Sequence, residues 1–162
     1  MSEEVRRMFA SISGRYDLLN TVLSLGIHHR WRKRAVRMSG ASEGMTVLDC
    51  ATGTGDLAIA FKKSVGLNGK VIGTDFCAEM LETAPEKSRK KQMSLTWEVA
   101  DVMNLPYDDD RFDISSIAFG IRNVDDPLAA LSEMARVVKW WCWSLVNLMG
   151  SLNILIGGTV NM

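Results

Sequence analysis

Short apolar runs alternate with amphipathic stretches along the chain from Met45 onward. The apolar runs predict four strands, at Thr46–Cys50, Lys70–Thr74, Leu95–Ala100 and Phe112–Phe119. The stretches between and after them carry apolar residues at helical spacing and predict helices at Leu57–Val65, Ala78–Lys91 and Pro127–Val138. Strands separated by helices are typical of βαβ units, so we expect an α/β fold with a parallel sheet covered by helices on both faces.

The first 44 residues follow a helical pattern without strands. Residues 3 to 39 predict helices that are interrupted at Ser24-Leu25-Gly26. The piece from Ile27 to Met38 is basic and carries Arg30, Arg32, Lys33, Arg34 and Arg37 around Trp31 and Val36. One interpretation is a solvated helix face anchored by the tryptophan. The other is a lid that touches a lipid-like substrate or an anionic membrane surface, so we expect 1–44 to form a helical lid on an α/β core at 45–139.

Composition limits the class of protein. The chain has 162 residues, 47% of them hydrophobic, with 19 basic and 19 acidic side chains, which fits one soluble domain and gives no reason to expect a nucleic-acid partner. The start of the chain is polar and no apolar run reaches transmembrane length, so we expect neither a signal peptide nor a span. Three cysteines without paired spacing favour reduced thiols and a cytoplasmic location. The histidines and cysteines also lack the spacing of metal ligands, so we expect no metal.

The candidate chemistry begins at a glycine turn after the first strand. Residues 47–56 read V-L-D-C-A-T-G-T-G-D, and Asp75 ends the next apolar run. The glycines let the backbone approach a nucleotide-like ligand closely, and the distal carboxylate can accept hydrogen bonds from ribose hydroxyls. The third glycine of a dinucleotide turn is replaced by Ala58, and the loop has an acid at each end. These features favour a cationic ligand such as S-adenosylmethionine over a pyrophosphate. Right-handed crossovers would gather Gly53, Asp75, Asp101 and Ala118 at the carboxyl ends of the strands.

Further motifs resemble one enzyme family. They are Phe9–Asn20, Ser24–His28 with Trp31-Arg32, Ala100–Val102, Leu105–Tyr107, Arg111–Asp113 and Phe119–Val124. With the glycine loop, they resemble the ubiquinone/menaquinone biosynthesis C-methyltransferases, a branch of the class I S-adenosylmethionine-dependent enzymes. The resemblance implies a Rossmann-like three-layer sandwich with an N-terminal helical lid and S-adenosyl-L-methionine as cofactor. It also implies C-methylation of a prenylated quinol, and the D-C-A-T-G-T-G-D form of the loop favours demethylmenaquinol.

The resemblance assigns a cofactor role to a set of residues at the strand ends. They are Asp49, Thr52, Gly53, Thr54, Gly55, Asp75, Phe76, Met80, Asp101, Val102 and Ala118. The loop and Asp49 would cradle the methionyl part, Asp75 would bind the ribose, and Asp101 with Val102 would contact the adenine amino group. Simpler roles compete: a tight strand-to-helix turn for the loop, helix capping for the two later acids, and core packing for Phe76 and Met80. Ala118 would offer only its backbone.

Three residues are candidates for catalysis. Arg122 would stabilise a phenolate or polarise a water that acts as base, because it follows the fourth strand. A structural ion pair with Asp125 or Asp126 is the alternative for this arginine. Asn123 would orient the ring oxygen or merely hold the turn. Tyr16 would reach the substrate from the lid or pack in the core or an interface.

The motifs end after Lys139. The chain continues with three tryptophans in four residues, Trp140 to Trp143, where the family has Pro-Gly-Gly and another strand. Compatible codons read in a shifted frame can spell that strand, so we expect 140–162 to be an out-of-frame tail and the C-terminal strands to be missing or replaced. The apolar segment Leu152–Ile156 would then either cover the exposed edge of the fourth strand or drive association, with a homodimer as one result.

Three other functions stay open at this point. The first is methylation of another small molecule on oxygen or nitrogen. The second is a dinucleotide-binding oxidoreductase, against which the missing third glycine and the acidic loop count. The third is a truncated module that binds cofactor without activity. The preferred interpretation places the protein in the cytoplasm, peripheral to the inner membrane through its basic N-terminal helix, with no nucleic-acid partner.

Overall fold

A computed structural model describes residues 7, 8, 11 and 28–139, together with the backbone of two strands at 143–147 and 153–158. The strands are β1 Thr46–Cys50, β2 Lys70–Asp75, β3 Thr96–Val99, β4 Ile114–Ala118, β5 Trp143–Asn147 and β6 Asn153–Gly158. The helices are α1 His28–Met38, α2 Asp56–Val65, α3 Ala78–Leu81, α4 Ala84–Lys90 and α5 Pro127–Arg136. A 3₁₀ helix spans Gly120–Asn123. All four predicted strands and all three predicted helical stretches are present.

The stretch predicted as one helix at 78–91 is two short helices, α3 and α4. Pro85 lies in the first turn of α4. Because proline has no N–H to donate to the preceding turn, it is tolerated at a helix start but interrupts a continuous helix. The proline was a usable signal in the sequence, and the prediction of a single helix was wrong.

The sheet confirms the predicted α/β class. Its strand order is β3-β2-β1-β4-β6-β5. The first four strands pair in parallel, whereas β6 lies antiparallel to β4 and β5 lies antiparallel to β6. The segment 153–158 therefore covers the edge of β4, which is the first of the two alternatives expected for the tail. A parallel sheet with its β1 loop near its centre places the carboxyl ends of four strands along one edge.

Helices cover both faces of the sheet and give three layers. On one face, α1 and α2 bury a core of Ala35, Val36, Val47, Leu57, Ala58, Phe61, Val65, Val71 and Ile114. On the other face, α5 and the segment before β4 bury Leu48, Cys50, Leu105, Tyr107, Phe112, Ile117, Ala130, Met134 and Val137. Nearly every residue of β1 and β4 is buried, and their apolar side chains divide between the two faces, as expected of strands that are covered on both sides.

One row of paired residues crosses the sheet beneath the glycine loop. Trp97, Gly73, Asp49 and Ser116 are paired neighbours on β3, β2, β1 and β4. The indole ring of Trp97 lies over the backbone of Gly73, where an added Cβ would be 2.5 Å from Cζ3. The same ring would be 2.4 Å from a Cβ on Gly55. The tryptophan thus supports the loop from below in space that only glycines leave open.

We expect Gly73→Ala to destabilise the protein by about 1–3 kcal/mol, because the new methyl group overlaps the indole ring. Trp97→Leu in the same chain should relieve most of that cost. Denaturant unfolding of the two single variants and the double variant measures the coupling as a double-mutant cycle.

Gly40→Ala is the matched control for this cycle. Gly40 has a φ of 72° and no atom within 4 Å of its added Cβ. Its cost of about 1–2 kcal/mol comes from the left-handed backbone alone and should be the same with or without Trp97→Leu. Equal costs of Gly73→Ala in both backgrounds would contradict steric overlap with the tryptophan.

Candidate functional site

The loops after β1 and β4 touch at the carboxyl edge of the sheet. Ala51 has a φ of 49° and Phe119 a φ of 58°, which L residues other than glycine adopt rarely. Gly120 lies so close to the first loop that an added Cβ would be 2.4 Å from Cβ of Ala51. Strained residues of this kind cost about 1–3 kcal/mol each and cluster at binding and catalytic sites. The edge therefore has the backbone features of a functional site.

Asp75 joins the end of β2 to the glycine loop. Its Oδ2 accepts the N–H of Gly53 at 2.8 Å, and its Oδ1 accepts the N–H of Cys77 at 2.9 Å. Burial raises the pKa of Asp75 above its ordinary value, although these backbone N–H groups stabilise the carboxylate. Each carboxylate oxygen has a second lone pair that can accept a hydrogen bond. The geometry therefore fits a carboxylate that orders the loop and keeps some acceptor capacity for a ligand hydroxyl.

Asp49 lies deeper than a surface ligand would reach, with 1% of its surface exposed. Its two oxygens accept the hydroxyls of Ser116 and Thr52, each at 2.6 Å. Burial is the main cause that raises the pKa of Asp49 from 3.8 to about 6. In this structure Asp49 ties β1 to β4 and to the loop, and its contact with the cofactor stays a prediction.

Two basic residues that the sequence interpretation did not place at the site hold the start of α2. Lys87 of α4 pairs with Oδ1 of Asp56 at 2.7 Å and donates to the Thr54 hydroxyl at 3.1 Å. Arg32 of α1 pairs with the other oxygen of Asp56. Burial acts to raise the pKa of Asp56, but the two cations outweigh it and lower the pKa. This cluster connects α1, the glycine loop and α4.

The Asp56 cluster left only a weak signal in the sequence. Arg32 stands among other basic residues, and Lys87 lies far beyond the loop in a charged helix. Pairing of these two side chains with one carboxylate requires the packing of three helices, which no local pattern specifies.

The apolar candidates have mixed placements. Met80 is buried, and its Cε would be 3.3 Å from a Cβ on Gly53, so it contacts the loop from the protein side. Val102 is buried in the core beneath α5. Phe76 is half-buried at the end of β2 and is the one of the three with part of its surface open at the edge. Core packing thus accounts for Met80 and Val102, and their contact with the adenine stays a prediction.

Asp101 and Ala118 also lie at the expected edge. Oδ1 of Asp101 accepts the N–H of Met103 at 2.9 Å, but the segment that follows is a turn, so the helix-capping role considered above does not apply. Asp101 follows the end of β3, and its second carboxylate oxygen has no hydrogen bond among the described residues. Ala118 is half-buried at the last position of β4.

Arg122 and Asn123 lie together on the 3₁₀ helix that follows β4. Arg122 is exposed, and in the described part of the chain no ion pair joins it to Asp125 or Asp126. Asp126 instead accepts the N–H groups of Leu128 and Ala129 and caps α5. The alternative role of Arg122 in a structural ion pair is therefore not found, and the residue lies on the 3₁₀ helix that follows the carboxyl end of β4.

Tyr16 lies outside the described residues, as does most of the segment expected to form the lid. None of the helices in the described ranges has the length and apolar character needed to cross a bilayer.

A family model connects this edge to known proteins. Residues 1–148 match the description "ubiE/COQ5 methyltransferase family". The chain belongs to this family. The membership confirms the resemblance found in the sequence motifs, and S-adenosyl-L-methionine is the cofactor it implies.

Similar proteins agree with the family match. The chain is 54% identical over 158 residues to the ubiquinone/menaquinone biosynthesis C-methyltransferase UbiE of Bdellovibrio bacteriovorus, covering 98% of this chain and 67% of that protein. It is 45% identical over 137 residues to the demethylmenaquinone methyltransferase of Staphylococcus aureus, covering 85% and 56%. A solved structure of a SAM dependent methyltransferase from Aquifex aeolicus matches with a TM-score of 0.63 at 32% identity, over 69% of this chain and 60% of that one.

The matches cover only part of the relatives' length but most of this chain. The chain spans 56% to 67% of the length of the two relatives named here. The family model and the Bdellovibrio match both continue beyond Lys139, where the motifs were expected to end. The out-of-frame origin of 140–162 stays a prediction.

The residues at the edge fit the cofactor. The loop turns at Gly55, the residue that precedes α2, which adopts a left-handed backbone conformation with a φ of 82°. Its backbone therefore approaches the edge without a side chain, beside a carboxylate that has acceptor capacity left. Of the two acids that end the loop, Asp56 is already paired with Arg32 and Lys87, and Asp49 is buried with both oxygens bonded. The expected attraction of the loop for a cationic ligand therefore rests mainly on Asp75.

We expect Lys87→Met to weaken binding of S-adenosylhomocysteine roughly tenfold, because the Thr54 hydroxyl and the start of α2 lose their common partner. Stability should change by about 1 kcal/mol or less, since the ion pair is partly exposed. Calorimetric titration measures the affinity.

Lys90→Met is the control from the same helix, because Lys90 pairs with Glu86 on the exposed side of α4. Its titration should equal that of the wild type. Equal losses in the two variants, or no loss in Lys87→Met, would contradict a role for the Asp56 cluster in ordering the loop.

The pH dependence of stability tests the state of Asp49. A carboxyl whose pKa is raised in the folded protein contributes stability that is full below 3.8 and lost as the pH rises through about 6. The stability of wild type minus that of Asp49→Asn should therefore fall by about 2 kcal/mol between about pH 4.5 and pH 7.5. Denaturant unfolding at both pH values measures this stability difference. A difference that does not change with pH would show that the pKa of Asp49 is not raised in the folded protein.

Proposed function

We propose that the whole protein transfers the methyl group of S-adenosyl-L-methionine to a ring carbon of a prenylated quinol in quinone biosynthesis, with demethylmenaquinol as substrate. The family membership supports methylation in quinone biosynthesis. The Staphylococcus relative, named for demethylmenaquinone, supports the naphthoquinol ring. The glycine loop reads D-C-A-T-G-T-G-D, the form that favoured this substrate in the sequence.

The loop and the acids of the strand ends would hold the cofactor. Asp75 would accept the ribose hydroxyls with the acceptor capacity that remains beside its bonds from backbone N–H groups, among them those of Gly53 and Cys77. The open oxygen of Asp101 would accept the adenine amino group. The bound cofactor would supply an electrophilic methyl group and leave as S-adenosylhomocysteine, and the protein must align the quinol carbon in line with that group. The methylated ring carbon would then lose its proton to water, which restores the aromatic ring.

Removal of a proton from the quinol makes its ring carbon nucleophilic. A hydroxyl next to that carbon donates more electron density when it becomes a phenolate, so a group that stabilises the phenolate lowers the barrier. Arg122 would provide this group through its guanidinium, or would polarise a water that accepts the proton. Asn123, its neighbour on the 3₁₀ helix, would orient the ring oxygen. Tyr16 would reach the ring from the N-terminal segment.

One observation carries this assignment. Arg122 is an exposed cation without an ion pair among the described residues, and it follows the strained Phe119 at the edge that holds the loop. Binding of an anionic ligand by an unpaired cation costs its desolvation and ordering, whereas a salt-bridged cation must in addition lose its partner.

Methyl transfer to demethylmenaquinol in detergent tests the proposal. Arg122→Gln should lower kcat roughly hundredfold, the usual loss for one oxyanion donor, while S-adenosylhomocysteine affinity stays within about twofold. Arg89→Gln is the control, because Arg89 is also exposed and lies on α4. Transfer of the methyl group to oxygen, or cofactor binding with no transfer to any quinol, would overturn the assignment.

A further inference from the structure

The lid helix α1 presents four cations on one face. Arg30, Lys33, Arg34 and Arg37 are all exposed and fall at positions i, i+3, i+4 and i+7, which share one side of a helix. The opposite side is fixed to the protein through buried Ala35 and Val36 and half-buried Trp31. We call the four cations the basic stripe.

The basic stripe has no acidic counterpart on the protein. In the described ranges, none of its four side chains takes part in an ion pair or a hydrogen bond. Other exposed cations do pair, as Lys90 does with Glu86 and Lys139 with Asp113. Like charges four positions apart destabilise a helix, so the stripe lowers the stability of α1 instead of raising it. Solvation of a helix face would be equally served by mixed charges.

The stripe begins at the edge that holds the cofactor loop. Arg32, on the adjacent side of α1, pairs with Asp56 at the first residue of α2. At the other end, the hydroxyl of Ser64 donates to the carbonyl of Ala41. The two helices therefore run side by side in the same direction, with their amino-terminal ends at the carboxyl edge of the sheet. A flat anionic surface that contacts the stripe would lie beside the site.

We propose that the basic stripe docks the protein on the anionic headgroups of a lipid bilayer, so that the site edge lies beside the lipid from which a prenylated quinol is taken. The inference rests on the proposed function for the identity of the substrate. Clustered lysine and arginine side chains are attracted to anionic leaflets, each by about fivefold in partitioning, and the attraction acts within about 8 Å at physiological salt. The zero net charge of the chain makes attraction local to this face.

Co-sedimentation of the full chain with vesicles tests the proposal. Wild type should bind phosphatidylcholine vesicles that contain about one-third phosphatidylglycerol, should not bind pure phosphatidylcholine, and should be released by salt. Replacement of all four stripe residues by glutamine, which keeps helix propensity, should weaken binding at least tenfold.

The matched control removes four other exposed cations, Lys63, Lys70, Arg89 and Lys91, by the same change to glutamine. Its charge equals that of the stripe variant, and its vesicle binding should stay within about threefold of wild type. Equal losses in both variants would show a general charge effect and overturn the proposal. Absent vesicle binding would do the same, as would tighter binding of an RNA or DNA duplex than of vesicles.

Detergent assays separate this inference from the proposed function. The stripe variant should methylate detergent-solubilised demethylmenaquinol at the wild-type rate but lose activity on the quinol in anionic vesicles. Transfer that is equal for both proteins in vesicles overturns the docking role while the function stands. Vesicle docking through the stripe without any methyl transfer overturns the function instead.

Discussion

The contact between the Asp75 carboxylate and the Gly53 N–H connects the two strands on which the site depends. It joins the end of β2 to the loop after β1 with a charge-assisted hydrogen bond of 2.8 Å. The same carboxylate accepts the N–H of Cys77 at the start of α3. One buried acid thereby sets the position of the loop and of the following helix. A ribose bound to its remaining lone pairs would be held at a fixed distance from the glycine turn.

The buried carboxyl group of Asp49 and the packed indole ring of Trp97 lie near this contact. The raised pKa values of Asp49 and Asp75 show that burial disfavours negative charge at the centre of the sheet, so a cationic ligand would recover part of that cost. Trp97 lies against Gly55 and blocks the loop from moving toward the sheet. On the outer side, Asp56 with its two cations connects the loop to α1 and α4. The position of the loop therefore depends on the packing of these helices.

Local patterns specified the elements, whereas the contacts between distant elements needed the structure. Alternation predicted the four parallel strands, and the glycine loop predicted the edge at which we propose that the ligand binds. Register across three strands places Trp97 over Gly73, and the packing of three helices brings Lys87 to Asp56. Neither arrangement leaves a periodic trace in the sequence. The antiparallel strand 153–158 beside β4 was one of two expected outcomes, because an apolar segment alone does not specify its partner.

Calorimetric titration with S-adenosylhomocysteine of wild type, Asp75→Ala and Asp113→Ala tests the central claim most directly. Asp113 also joins two elements through its carboxylate, with bonds to the N–H and hydroxyl of Thr46, but at the opposite end of β1. The account predicts micromolar binding by wild type and by Asp113→Ala, and a loss of at least about hundredfold in Asp75→Ala. Equal affinity of a folded Asp75→Ala variant would contradict it, because the site would then not depend on this carboxylate.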